Sequence, residues 1–557
     1  MSKRVLIVGG AGVFGSRLAQ GLNATTNAHI IIAGRSLDRA AEAAMNLGAA
    51  EAIALDRETA SAADIRATGA NLVIDAAGPF QGANLAFARA VIEAGAHYLD
   101  LADARDFVAA FPQLDDLAFA HNVAAITGAS STPALTHAAL DELCGDWRRI
   151  DVVRAGIAPA NKMERGVAVM RAILSWAGAS VRVFEGGAWR VRSGWSDCGV
   201  IDVPGLGRRR FALAETPDLD LIPARYAPRD SALFMAGLEL WPMQRGMEMI
   251  AALRRSGVLR QPRRWAKALL FAGNLLSPFG TDRGGMIVEV FGRDGEDRPV
   301  YARWSMLAKD GKGPYTPTFA ALALARRFIA GETPPVGAGA CVALLRLRDF
   351  APEFERHGFE TRIETTPLRS PFETALGGDF LNAPPAVRAA HQAGPVTRLR
   401  GEASIAPPSS PIAALVARLF GMPRASAAQT LRVTKDLSPE GEVWTRQFGD
   451  RRMRSRLRAI APGIVRESFG PFGFDMRVSA DAEALSMSVI GWRIGAMPLP
   501  SWLAPRSTAT ETMDAQGRVR FDVPIALPLI GRLTHYSGWL VPEELEAAAA
   551  SVEEEAA

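Results

Sequence analysis

Four consecutive apolar residues, Val5 to Val8, run straight into a cluster of glycines, and a second apolar stretch, Ile30 to Ala33, follows after one helix length. Unbroken apolar runs of this kind predict strands buried on both faces, and residues 13–22 carry the spacing of a helix between them. Further short runs at 52–55, 71–74, 98–101 and 124–127 continue the alternation. Strand alternating with helix predicts an α/β fold whose first part is a Rossmann-type doubly wound parallel sheet.

From residue 147 to 364 the pattern is mixed. Strand-like runs at 151–158, 286–291 and 300–306 stand between helical runs such as 167–177 and 318–330, which predicts an α+β substrate domain, a sheet covered by helices. Thr316 is expected to cap a helix whose first turn accepts Pro317. After a proline-marked boundary at 365–371, two helical pieces (384–392 and 412–419) precede eight short strands at 430–434, 443–448, 453–459, 474–478, 485–492, 507–513, 519–523 and 533–540. Turn residues between them predict an antiparallel, barrel-like C-terminal domain. At 557 residues the chain exceeds what one core supports, about 250 to 300 residues. The expected division is 1–146, 147–364 and 372–545.

Candidate chemistry begins at the first turn. Gly10, Ala11, Gly12, Val13, Phe14 and Gly15 match G-x-G-x-x-G between a strand and a helix. Gly10 would permit the tight turn, Gly12 the approach of a pyrophosphate, and Gly15 the close packing of helix on strand, with helix N–H groups meeting the phosphates. The second strand ends Ala33-Gly34-Arg35-Ser36, without a carboxylate for a ribose. Arg35 suits a 2′-phosphate and Ser36 can donate to it, so the expected cofactor is NADP. Asp38 lies past the turn, in the first turn of the next helix. Ligands in such sheets sit beyond the strand C-termini, which makes Asp56, Ala77, Gly78, Pro79, Phe80, Ala129 and Ser130 expected cofactor contacts. Tyr98, Asp100, Ser131 and His137 are the polar groups expected at the reacting bond. Asp103, Ser131 and Thr132 serve equally well as helix caps, and His137 as a helix residue satisfied by its surroundings.

The segments "VLIVGGAGVFG", "IIIAGRS", "DAAGPFQGANLAFARAVIEAGAHYLDLAD" and "TGASSTPAL", in that order over residues 3–145, resemble the nucleotide domain of saccharopine-dehydrogenase-like NADP oxidoreductases. "GTDRGGMIVEVFG" and "KDGKGPYTPTFAALALARRF" are similar to the substrate domain of that family. "WTRQFG" and "LPLIGRLTHYSGWL" resemble an uncharacterised domain family fused behind such proteins. The resemblance implies an NADP-dependent oxidoreductase reducing a C=N, C=O or C=C bond. The sequence departs from the family at "YLDLADARDF", which stands where a Tyr-x-Asp is usually followed by a Gly-Glu pair. Three readings stay open: a hydrophobic or lipid-like substrate, an amino-acid imine of saccharopine type, and a non-enzymatic NADP-sensing or membrane-associated binding protein.

Composition narrows the partners. The chain is 48% apolar and 22% charged with a net charge of +4. Only six of its 63 basic residues are lysine, and the arginines are dispersed with no RNP-type aromatic motif, so nucleic acid is not an expected partner. Three cysteines fit neither a disulfide framework nor a metal cluster and suggest a reducing compartment. A strand starting near Arg4 leaves no room for a leader, so a cytoplasmic location is expected. Residues 247–276 combine six cations with an apolar run from Trp265 to Leu276. Twelve helical residues span about 18 Å against the roughly 30 Å of a bilayer core. They would lie on the inner membrane face or pack on the domain below. Between 396 and 540 there are 19 basic and 12 acidic residues. A basic barrel with Trp444, Trp492, Trp502 and Trp539 would hold an acidic or lipid-like ligand, or the tryptophans are core.

Overall fold

The computed structural model describes residues 2–48, 50–163 and 166–543, so the last residues of the expected third domain lie outside it. The chain forms two compact units. The first comprises Met1–Asp146, Val152–Val290 and Ala302–Glu364, and the second comprises Trp147–Asp151, Phe291–Tyr301 and the chain from Thr365 on.

In the first unit, β1 (Arg4–Val8), β2 (His29–Gly34), β3 (Glu51–Ala54), β4 (Leu72–Asp75), β5 (His97–Asp100) and β6 (Ala124–Thr127) form a parallel sheet. Their order is β6-β5-β4-β1-β2-β3, extended beyond β6 by a seventh parallel strand, Gly337–Ala340. The apolar runs of β1, β2, β4 and β6 are buried, as unbroken strand hydrophobicity requires when helices cover both faces, while the edge strand β3 is half-exposed. The order reverses between β4, β1 and β2, which opens a crevice at the C-terminal end of β1.

A second, mixed sheet follows. Its order is Asp197–Val203, Gly207–Leu213, Ser231–Ala236, Arg149–Ala158, Gly284–Arg293, Pro299–Ala308 and Glu360–Pro367. The hairpin Ser180–Glu185/Ala188–Ser193 joins it at Ser231–Ala236. The helices Val167–Trp176, Trp241–Arg255 and Ala266–Leu275 belong to the same unit. Thr316 does not cap the following helix. A 3-10 turn occupies Gly313–Thr318, the α-helix starts at Phe319, and the Thr318 hydroxyl donates to the Tyr315 carbonyl at 2.7 Å. The prolines at 314 and 317 are accommodated in the tighter turn ahead of the helix.

The second unit is a closed ten-stranded antiparallel barrel. Around the ring run Phe472–Ala480, Ile464–Phe469, Arg451–Ala461, Gly441–Phe448, Ser426–Ser438, Val396–Ala406, Gly531–Pro542, Val519–Leu527, Thr508–Met513 and Ala484–Ile494, which pairs back with the first. Alternation fills the interior. In Ser426–Ser438, Leu431, Val433, Lys435 and Leu437 are the buried set. Phe372 and Val387, from the helices Pro371–Leu376 and Pro385–His391, join the same core as Trp444 and Phe448. Trp502, in contrast, is exposed. Closure leaves no unpaired edge on the ring. Among the described residues no helix is long and apolar enough to cross a membrane.

Candidate functional site

The turn after β1 is shaped by backbone contacts that exclude side chains. Gly9, rather than the expected Gly10, takes the left-handed conformation (φ +76°), and a Cβ there would sit 2.9 Å from the Ala77 backbone. Gly9 N–H donates to the Ala33 carbonyl at 2.8 Å, so the turn is tied to the end of β2. Gly10 is confined instead by the Ile32 side chain, 3.0 Å from where its Cβ would be. A Cβ on Gly15 would collide with the Gly9 carbonyl, so helix Val13–Thr25 rests directly on the turn. Gly12 precedes that helix and no side chain caps it. Uncapped N–H groups at a helix start form an anion site.

This turn borders a cavity of about 1100 Å³. Of the expected cofactor contacts, Ala11, Gly12, Val13, Phe14, Arg35, Ser36, Asp56, Ala77, Gly78, Pro79, Phe80 and Ser130 line it. Gly10 borders a smaller recess of about 260 Å³ beside the Val13–Thr25 helix, and Gly15 and Ala129 line neither. Ala129 is instead fixed by its N–H, which donates to the Asp100 carbonyl at 2.9 Å. Ser36 caps the helix Leu37–Leu47, accepting from Arg39 N–H at 3.4 Å, with Asp38 in the first turn.

Two arginines and one carboxyl at this cavity escaped the sequence reading. Arg39 reaches the cavity one helical turn after Arg35. Arg57 forms an ion pair with the buried Asp75 (2.7 Å) and lies over the Phe80 ring (4.8 Å), so it braces the 77–80 wall. Burial pushes the Asp75 carboxyl up while Arg57 pulls it down, with a net rise. Glu215 also lines the cavity, and burial raises its carboxyl against the opposing pull of Arg105. Only the Arg39 signal, a cation four residues beyond Arg35, was present in the sequence.

The four polar groups expected at the reacting bond are placed differently from one another. Ser131 lines the cavity. Tyr98 is fully buried among Phe87 and Phe111, its hydroxyl 3.4 Å from Asp75. Asp100 is fully buried as well. It accepts from Gly128 N–H (2.7 Å), Ala102 N–H (2.9 Å) and the Thr127 hydroxyl (3.0 Å), and so organises the turn after β6. Burial raises its carboxyl to about 7 against those donors. His137 is buried against Tyr226, 3.5 Å from Asp218, and Asp218 also accepts from the Thr132 hydroxyl at 2.7 Å. Tyr98, Asp100 and His137 do not line the cavity; they hold the loops that do.

Beyond the glycine turn the cavity wall becomes apolar. Met170 and Ile173 come from Val167–Trp176, Met243, Met247 and Ile250 from Trp241–Arg255, and Leu269 and Gly273 from Ala266–Leu275. Phe234, Met286 and Met306 supply the sheet side. Among the described residues, the cations on the wall are Arg35, Arg39 and Arg57, all just after β2 or β3, and neither lysine nor histidine lines it.

Residues 5–140 match the saccharopine dehydrogenase NADP binding domain. The cradle of Gly9, Gly12 and Gly15 and the uncapped helix start fit the diphosphate of that cofactor, so the chain carries an NADP-binding domain of the saccharopine-dehydrogenase-like oxidoreductases. Residues 384–540 match a domain of unknown function (DUF4166), which lies within the barrel unit. No curated protein matches the chain. Among solved structures, saccharopine dehydrogenase (L-Glu forming) from Saccharomyces cerevisiae aligns over 66% of this chain and 100% of its own at 13% identity and a TM-score of 0.47. Biliverdin reductase from Synechocystis, in complex with biliverdin and NADP+, aligns over 63% and 96% at 14% identity and a TM-score of 0.30.

Proposed function

We propose that the chain is an NADP-dependent reductase of an apolar, uncharged substrate, bound in the chamber that continues from the glycine turn. The carrying observation is that chamber wall: methionine, isoleucine, leucine and phenylalanine side chains, with the cations among the described lining residues kept at the nucleotide end. An α-amino acid or its imine would bring a carboxylate, and a buried carboxylate without a cationic partner is strongly disfavoured. This separates the reading from the amino-acid imine reductase that the family resemblance also suggests.

The 11–15 backbone would hold the diphosphate, Arg35 and Ser36 the 2′-phosphate, and Asp56, the 77–80 segment and Ser130 the rest of the nucleotide. When bound, NADPH supplies a hydride. Ser131 and Glu215, which line the same cavity, would orient the reacting bond and exchange the proton it requires. Tyr98, Asp100 and His137 act behind them as positioning residues. The division into a nucleotide domain (1–146), a substrate domain (147–364) and a C-terminal domain (372–545) belongs to the same proposal.

The test is NADPH oxidation with a panel of long-chain enones, aldehydes and enoyl esters beside amino-acid imines, with deuterium-labelled NADPH and mass analysis of products. The expected result is label transfer to an apolar carbonyl or enoyl compound. Preferential turnover of a charged amino-acid imine would overturn the substrate class. Tight NADPH binding with no label transfer to any member would favour the non-enzymatic sensor.

A further inference from the structure

The helices that wall the apolar chamber are apolar on their outer side as well. In Trp241–Arg255, Met243, Met247 and Ile250 face the chamber, while Trp241, Arg245 and Met249 recur at every fourth position on the opposite face. In Ala266–Leu275, Leu269 and Gly273 face inward, and Lys267, Phe271 and Leu275 form the outer stripe by the same spacing. The outer apolar groups are largely bare: Trp241 is 68% exposed, Trp265 56%, Phe271 73%, Leu275 70% and Phe279 77%. A monomeric soluble surface rarely gathers so many large apolar groups in one segment without a partner.

The charge of the segment identifies that partner. From Trp241 to Phe279 there are seven cations and one carboxylate, Glu248, which is already paired with Arg210 and Arg245. Arg254 is used internally, donating to the Ser175 and Ala177 carbonyls at 2.8 and 3.0 Å, which ties this helix to Val167–Trp176. Arg260, Arg263, Arg264 and Lys267 are exposed and form no ion pair among the described residues. A second copy of the face would set cations against cations. Anionic phospholipid answers both features, with acyl chains for the aromatic and aliphatic groups and headgroups for the arginines.

We propose that residues 241–279 dock on an anionic bilayer, with Trp265, Phe271, Leu275 and Phe279 inserted below the headgroups and Arg260, Arg263, Arg264 and Lys267 among them. The apolar substrate then passes from the bilayer into the chamber through the wall these helices make. This delivery step rests on the apolar-substrate reading above; the docking does not.

Flotation of the full-length, NADP-loaded protein tests the docking, using vesicles of phosphatidylcholine alone and of phosphatidylcholine mixed with phosphatidylglycerol. The protein is expected to float with the anionic vesicles, not with the neutral ones, and to be released by salt. Phe271→Ser with Leu275→Ser should lower the partition about a hundredfold, roughly tenfold for each apolar side chain withheld from the acyl region. Arg263→Glu with Arg264→Glu should lower it about tenfold or more on anionic vesicles. NADPH affinity, measured on every variant, should stay at the parent value and reports that the variant is folded.

Absence of flotation, equal flotation with both vesicles, or a Phe271→Ser/Leu275→Ser protein that floats like the parent would each overturn the docking. So would a parent dimer that this double variant turns into monomer without any vesicle binding. Delivery is read from NADPH oxidation with a long-chain enone, expected to be faster with the enone in anionic vesicles than in detergent, and equal rates would overturn it. If no apolar carbonyl is reduced in any form, the reductase reading and the delivery step fall while flotation still judges the docking.

Discussion

Arg35 stands at the tip of β2, exposed and on the cavity wall, with Arg39 one helical turn beyond it. A guanidinium opposite a phosphate dianion forms charge-assisted hydrogen bonds worth about 1.5 to 3 kcal/mol. Arg35→Ala is therefore expected to weaken NADPH binding by roughly tenfold to a hundredfold and to leave NADH binding unchanged, as measured by nucleotide fluorescence titration. An equal loss for both nucleotides would place Arg35 on the shared part of the cofactor and remove the basis for its assigned role. At this scale the sequence was informative where chemistry is local. The glycine cluster and the missing carboxylate after Ala33 sit within a few residues of the strands that position them. Arg57 was not legible, because its place on the wall depends on Asp75 and Phe80, which reach it only through the fold. The burial of Tyr98 and His137 was not legible for the converse reason: their residue types suit proton transfer, and only tertiary packing encloses them.

Strands with an unbroken or alternating apolar pattern were legible as elements, and those without one were not. Gly337–Ala340 reads Gly-Ala-Gly-Ala, which carries no strand signal, and it joins the parallel sheet only because β6 and the Asp115 carboxylate offer its backbone partners. Val396–Ala406 was hidden by its charged outer positions, and Ile464–Phe469 by its shortness. The first of these closes on Gly531–Pro542 through two glycines. A Cβ on Gly401 would collide with the Trp539 carbonyl, and one on Gly538 with the Glu402 carbonyl. Bare glycine thus lets the two strands bend closely past each other where the barrel curves. Gly401→Ala is expected to destabilise the barrel by about 1 to 3 kcal/mol through overpacking, read as a lower urea midpoint for residues 396–540 in hydrogen exchange. No shift in midpoint would show that the strand pair has room to separate.

Across the molecule, two buried carboxyls, one in each unit, stand far from their usual pKa, and in opposite directions. In the first unit burial lifts Asp100 from its usual 3.8 to about 7, so the folded form holds a proton that the unfolded chain has released. Stability from this source declines as pH rises from about 4 towards 7. In the barrel, burial would raise Glu511, but His391 at 2.6 Å, with Lys435 and Arg446, outweighs it and brings the carboxyl from 4.5 down to about 2. Here the unfolded chain takes the proton first, so stability is full above 4.5 and is lost as pH falls towards 2. Each span corresponds to a few kcal/mol at about 1.4 kcal/mol per unit. Asp100→Asn keeps an oxygen for Gly128, Ala102 and Thr127 and is expected to flatten the decline of the first unit towards neutral pH. Glu511→Gln is expected to lower barrel stability at neutral pH and to remove its steep acid loss, since the paired charge is gone at every pH. Hydrogen exchange followed by mass analysis reads peptides of the two units separately along a pH series. In the parent, the first unit should be the more labile of the pair near neutrality relative to mild acid, and the barrel should lose protection below pH 4.5. An Asp100→Asn protein with an unchanged slope, or a Glu511→Gln barrel as acid-labile as the parent, would mean that other groups set the pH response of that unit.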